Sequence, residues 1–124
     1  MKKIVLFVVA VCTMCLCFAG CNNTGKSQVK YVLYCGLNDA DTGSQMLTVT
    51  DAQTAARKVI TDRGLGYTEY VTYGAYTEND AVKGNDTLVY VLFYVEKVDA
   101  QSVAKEIKET LHLAAVLVEA VSYT

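Results

Sequence analysis

Few side chains in this sequence could do chemistry. His112 is the one histidine, and a triad, a two-histidine metal site or a His–Cys pair would need partners for it. It closes an amphipathic run, where an imidazolium suits the negative end of a helix, so it reads as a cap or surface residue. A pairing with Cys35 finds no local support. Cys35 lies in the apolar run Tyr31-Val32-Leu33-Tyr34-Cys35 and reads as a buried, inert thiol. Asp39 and Asp41 invite comparison with a calcium loop. Counted from Asp39, the fifth position is Gly43 and the twelfth is Thr50, where an EF-hand needs an oxygen donor and a glutamate. Turn residues bonding their own backbone is the better reading. Glu69 and Glu119 could form a carboxylate pair of the glycosidase kind, but they read as solvated strand positions. Gly64-Leu65-Gly66 follows a helix and precedes a strand, the reverse of a nucleotide-binding loop. The expectation is no catalytic residue, no metal site and no cofactor.

These residues must be carried by alternating elements. Val29 to Leu37 is apolar and ends near Gly36, which predicts a first strand. Residues 38–43 form a turn-rich loop. Thr50-Asp51-Ala52-Gln53 has capping-box spacing, with Thr50 as N-cap. Ala52, Ala55, Ala56, Val59 and Ile60 then recur on one helical face, and Gly64 stands where a left-handed residue would stop the helix. Tyr67 to Tyr76 alternates as a second strand. Glu78 to Asp86, with Gly84, reads as a polar turn, and Leu88 to Val95 as a third, buried strand. Asp99 is expected to cap a second helix with the stripe Ala100, Val103, Ala104, Ile107 and Leu111. Ala115 to Tyr123 is the last strand.

The order β-α-β-β-α-β predicts a ferredoxin-like α+β sandwich. Right-handed crossovers give an antiparallel sheet in the order 4-1-3-2 with both helices on one face. Strand three then matters most. Leu88, Tyr90, Leu92 and Tyr94 alternate with Val89, Val91, Phe93 and Val95, and both sets are apolar. The valine and Phe93 set is expected beneath the helices. Leu88, Tyr90, Leu92 and Tyr94 are expected on the bare face as a candidate interface, because tyrosine tolerates a half-wet surface.

The chain has 124 residues, room for one domain. Met1-Lys2-Lys3 is followed by an apolar stretch from Ile4 to Ala19. As a helix this would reach about 24 Å at ~1.5 Å per residue, short of a ~30 Å hydrocarbon core, so it reads as a signal segment. Phe18-Ala19-Gly20-Cys21 resembles the lipobox of bacterial lipoproteins, with Phe18 where the family usually has Leu. The resemblance implies cleavage between Gly20 and Cys21 and lipidation of Cys21. The expected organisation is a cleaved signal at 1–20, a polar tether at 21–29 and a domain at 30–124. Two or three acyl chains give stable anchoring where one would be marginal. Cys12, Cys15 and Cys17 leave with the signal and Cys21 is acylated, so Cys35 has no partner for an internal disulfide. Lys2 and Lys3 leave too, and 9 basic residues against 13 acidic ones give −4 for the mature chain. That balance excludes a counterion-displacing nucleic-acid surface.

Tyr34-Cys35-Gly36-Leu37, Gly66-Tyr67-Thr68, Gly74-Ala75-Tyr76 and Thr87-Leu88-Val89-Tyr90-Val91 together make the domain resemble a family of small secreted bacterial proteins, domain of unknown function 3574. The likeness runs from Lys30 to Thr124, with Tyr76 where members often carry Trp. It implies the same sandwich and an exported setting, and no reaction. The expected function is a non-enzymatic binding or assembly module in the cell envelope. Its expected partners are the membrane, through the anchor, and a second copy, through the bare sheet face; the sequence identifies no ligand. The competing expectation is a small-molecule enzyme with a pocket between dimerised sheets, an analogy from fold alone.

Overall fold

The computed structural model describes residues 27–124. The signal segment, the Gly20–Cys21 cleavage point and the lipidated Cys21 lie outside the described residues. The elements run β1 (Gln28–Gly36), α1 (Val49–Asp62), β2 (Thr68–Glu78), β3 (Ala81–Leu92), α2 (Lys97–Leu111) and β4 (Val116–Tyr123). The sheet order is β2-β3-β1-β4, the predicted 4-1-3-2 order read from the other edge. β3 pairs antiparallel with both β1 and β2. Among the described residues no helix is long and apolar enough to cross a membrane.

Both helices bury alanine-rich stripes against one sheet face. Ala52, Ala56, Val59 and Ile60 come from α1, and Ala100, Val103, Ala104, Ile107 and Leu111 from α2. They meet Leu33 and Cys35 of β1 and Leu88, Tyr90 and Leu92 of β3 in one cluster. The bare-face assignment of Leu88, Tyr90 and Leu92 is therefore corrected: all three lie fully buried beneath the helices. The reason is volume. Small alanines on the helices leave depth that leucine and tyrosine fill, and each buried large side chain contributes about 1.5–3 kcal/mol. Val89 and Val91 take the opposite parity and join Val32, flanked by Tyr34 and Val121, in a second cluster on the helix-free face.

Tyr94 is corrected as well. β3 ends at Leu92, so the alternation does not reach Tyr94, which turns left-handed at φ 59 and is 85% exposed. Three further boundaries differ. The α1 cap is Thr48, whose hydroxyl accepts from the Asp51 amide at 3.2 Å, while Thr50 is already helical. α2 begins after Glu96 with no side-chain cap, and Asp99 sits in its first turn, where a negative charge suits the dipole. The β2–β3 turn is two residues, Asn79 and Asp80, at φ 51 and 61. That is a hairpin turn with positive φ at both central residues, which Asn and Asp tolerate. Residues 81–86, expected as turn, are strand. Their polar character reflects an arm of the hairpin that reaches beyond the helices, so neither side is dry.

Candidate functional site

The helix-free face carries a cleft near the end of the sheet opposite the start of β1. Cross-strand partners share a face. The pairs Gly36↔Thr87, Gly74↔Asn85 and Tyr76↔Lys83 therefore put Gly36, Thr87, Asn85, Gly74 and Tyr76 side by side with Tyr34. The cleft holds about 350 Å3, and its lining includes Tyr34, Gly36, Tyr76, Asn85, Thr87 and Leu117. Gly36 floors the depression, and Gly74 borders the same two polar side chains from the next strand. A Cβ on Gly36 would come within 2.7 Å of the Asn85 amide nitrogen, and one on Gly74 would lie 3.5 Å from both the Asn85 and Thr87 side-chain oxygens. Without those carbons, the Asn85 amide and Thr87 hydroxyl stand in a shallow trough with aromatic walls. Apolar walls with a few convergent polar groups are the usual make-up of a small-ligand site.

Tyrosine is the one titratable residue type in this lining. Tyr34 donates to a Glu119 carboxylate oxygen at 3.3 Å. Partial burial, then the Glu119 charge, holds its phenol above the usual range, so it stays protonated at neutral pH. Such a lining can bind and orient; it offers no proton acceptor poised near neutrality.

A second, polar hollow of about 570 Å3 shares Asn38 and Tyr76 with the cleft and includes Asp41, Thr42, Gln45, Glu78 and Lys83. Its rim is stitched by backbone: Asp39 bridges Leu113, Asn38 bridges Gln45, Ala40 N–H donates to the His112 carbonyl at 2.9 Å, and Ala114 N–H to the Asn38 carbonyl at 2.9 Å. Gln45 binds Asp86 in both directions, at 3.0 and 2.9 Å. Asp39 is the turn residue expected, its carboxylate accepting from the Asp41 and Thr42 amides at 2.9 and 3.1 Å. Those two amides, in that order of strength from Thr42, hold its carboxyl below the ordinary range.

His112 caps α2 as expected, in a left-handed conformation at φ 53. The structure adds a partner that spacing could not show, Asp41, 2.8 Å from Nε2. That hydrogen bond, more than the Asp39 charge, raises the imidazole pKa. Asp39, Asp41 and His112 offer donor atoms within 4.8 Å of one another, the set among the described residues that could hold a metal ion. His112 and Asp41 are largely solvent-exposed.

Cys35 is buried and free, and burial pushes its thiol up to about 12, so it is inert. Glu69 is not the solvated position expected. It faces the helices, and its carboxylate accepts from Arg57 Nε at 2.9 Å, Arg57 Nη2 at 2.5 Å and Gln53 Nε2 at 3.0 Å. Arg57 first, against the opposing effect of burial, holds its carboxyl low. Sequence spacing gave no signal for this, because the partners come from α1, joined only by folding. The Tyr90 hydroxyl lies buried opposite Glu69 in the β2–β3 register. It feels the carboxylate's charge but makes no hydrogen bond of acceptable geometry.

No family model and no curated protein matches the chain. Solved structures do. A phage SAM lyase in its apo state superposes with a TM-score of 0.60 at 18% identity, over 81% of this chain and 84% of that one. A phage SAM lyase in complex with S-methyl-5′-thioadenosine gives 0.56 at 18%, over 77% and 88%. The divalent ion tolerance protein CutA1 from Ehrlichia chaffeensis gives 0.50 at 12%, over 81% and 85%. At these identities the likeness establishes a shared ferredoxin-like fold.

Proposed function

We propose that this chain is a lipid-anchored protein of the bacterial cell envelope whose domain is a non-enzymatic binding and assembly module, using its helix-free sheet face against a second copy. The observation that carries the reading is the cleft between Gly36 and Gly74. It presents an amide, a hydroxyl and aromatic walls, but no acid or base that titrates near neutrality. The charges on the face around it are balanced: Glu119 accepts from Tyr34, and Lys83 pairs with Glu78. Val32, Val89 and Val91 cluster at its centre, and Tyr70 and Leu117 are exposed at its margins. In a two-fold contact each patch meets its own copy, so a neutral face avoids the like-charge opposition that an acidic mature chain would otherwise impose. The anchor follows from the lipobox-like Phe18-Ala19-Gly20-Cys21.

Sedimentation of the domain from Asn22 onward tests the reading. The expected mass is that of a dimer at micromolar concentration, and Tyr70→Glu with Leu117→Glu should give a monomer of unchanged helix content. A wild-type domain that stays monomeric at high concentration contradicts it.

One observation favours a second reading, an enzyme acting on a small molecule. The cleft opens on the very face that a second sheet would close into a pocket, and a protein of this fold is known in complex with S-methyl-5′-thioadenosine. A small molecule that co-purifies with the dimer and is converted on incubation would favour this reading; one released unchanged would favour binding alone.

A further inference from the structure

We infer that the end of the domain bearing Tyr67, Phe93, Tyr94 and Val98 docks on a phospholipid bilayer interface, an inference that rests on the anchor reading of Cys21. β1 begins at Gln28, and the pairs Tyr31↔Leu92 and Thr68↔Val91 bring the exit of β3 and the start of β2 to the same end. Seven chain steps separate Cys21 from Gln28. Whatever their conformation, they span at most about 25 Å at ~3.6 Å each. A domain of this size has a radius of gyration of about 13 Å, so the end where β1 starts cannot leave the neighbourhood of an acylated Cys21.

That end exposes large apolar side chains next to a tether-bearing strand. Tyr94 is 85% exposed and Val98 69%. Tyr94 adopts its left-handed conformation without glycine's freedom, which disfavours a bulky side chain, and its ring is turned out of the core. Phe93 and Tyr94 lie with ring centroids 6.3 Å apart, and with Gly66, Tyr67 and Thr68 they border a hollow of about 280 Å3. The Lys30 ammonium lies 5.6 Å from the Phe93 ring centroid. Tyrosine and lysine are interfacial residue types: the ring or stem enters the acyl boundary while the polar tip reaches the headgroups. Glu96 and Asp99 are nearby in sequence, so contact is made through rings rather than net positive charge, and a zwitterionic lipid suffices. The Gly36–Gly74 cleft then stands at the far end, clear of the bilayer.

The test uses the full lipoprotein in phosphatidylcholine vesicles, labelled with an environment-sensitive fluorophore at Val98→Cys or, as reference, at Val82→Cys near the hairpin turn. Both sites are exposed, and the buried Cys35 does not compete for label. The expected result is blue-shifted emission at 98, quenched by lipid spin-labelled at the headgroup, with neither effect at 82. Adding Tyr94→Ser should reverse the shift at 98. Protein with acyl mass on Cys21 and identical emission at the two sites overturns the docking inference alone. Protein without acyl mass overturns the anchor reading, and the inference falls with it.

Discussion

Glu69 shows how much a single side chain can depend on the fold. Its carboxylate is held by Arg57 and Gln53 with 10% of its side chain exposed, though the Arg57 side chain is 44% exposed. Replacing it with glutamine should therefore cost only about 1 kcal/mol at neutral pH, below the ~1.5–3 kcal/mol usual for a hydrogen bond to a charge, because solvent screens the half-exposed Arg57. The sign with pH follows from its lowered pKa. The contribution is present above the ordinary carboxylate pKa of about 4.3 and is lost as pH falls through the lower folded value. Urea titrations of wild type and Glu69→Gln should diverge at neutral pH and converge in acid. His112 behaves in the opposite sense. Its pKa is raised by Asp41, so its contribution is full below the unfolded value and fades as pH rises through the folded one. An NMR titration should place His112 above an ordinary histidine, and Asp41→Asn should bring it back down.

At the level of elements, the order and kind of every strand and helix were legible, because each carries its own period. The parity of β3 was not, because Leu88, Tyr90 and Leu92 are as apolar as Val89 and Val91, and hydropathy cannot rank them. Volume could have done so: Ala52, Ala56, Ala100 and Ala104 announce shallow helix faces that larger strand residues must fill. The cleft escaped notice for a related reason. Gly36 and Gly74 are 38 positions apart, and only the register through Thr87 and Asn85 makes them neighbours. The hairpin between strands two and three was legible from their short separation, but its turn at Asn79-Asp80 was hidden by the polar residues of the strand arm that follows. Since Asp80 holds a positive φ, Asp80→Gly should stabilise the domain by about 0.5–1 kcal/mol, seen as a raised thermal midpoint; a lowered one would show that the Asp80 side chain supports the turn.

The domain, over its described residues, is a sheet with its helices on one side. The face they leave carries the valine cluster, the tyrosines and the cleft, and β1 begins at the end of the sheet away from the cleft. This arrangement is what the proposed reading requires, a bare face offered to a second copy. The most direct test places a paramagnetic label at Leu117→Cys on unenriched protein and mixes it with isotope-enriched, unlabelled protein. Intermolecular broadening should be concentrated on the helix-free face, at Tyr70, Thr72 and Val89. Broadening confined to the exposed faces of α1 and α2, or absent at high concentration, would contradict the account.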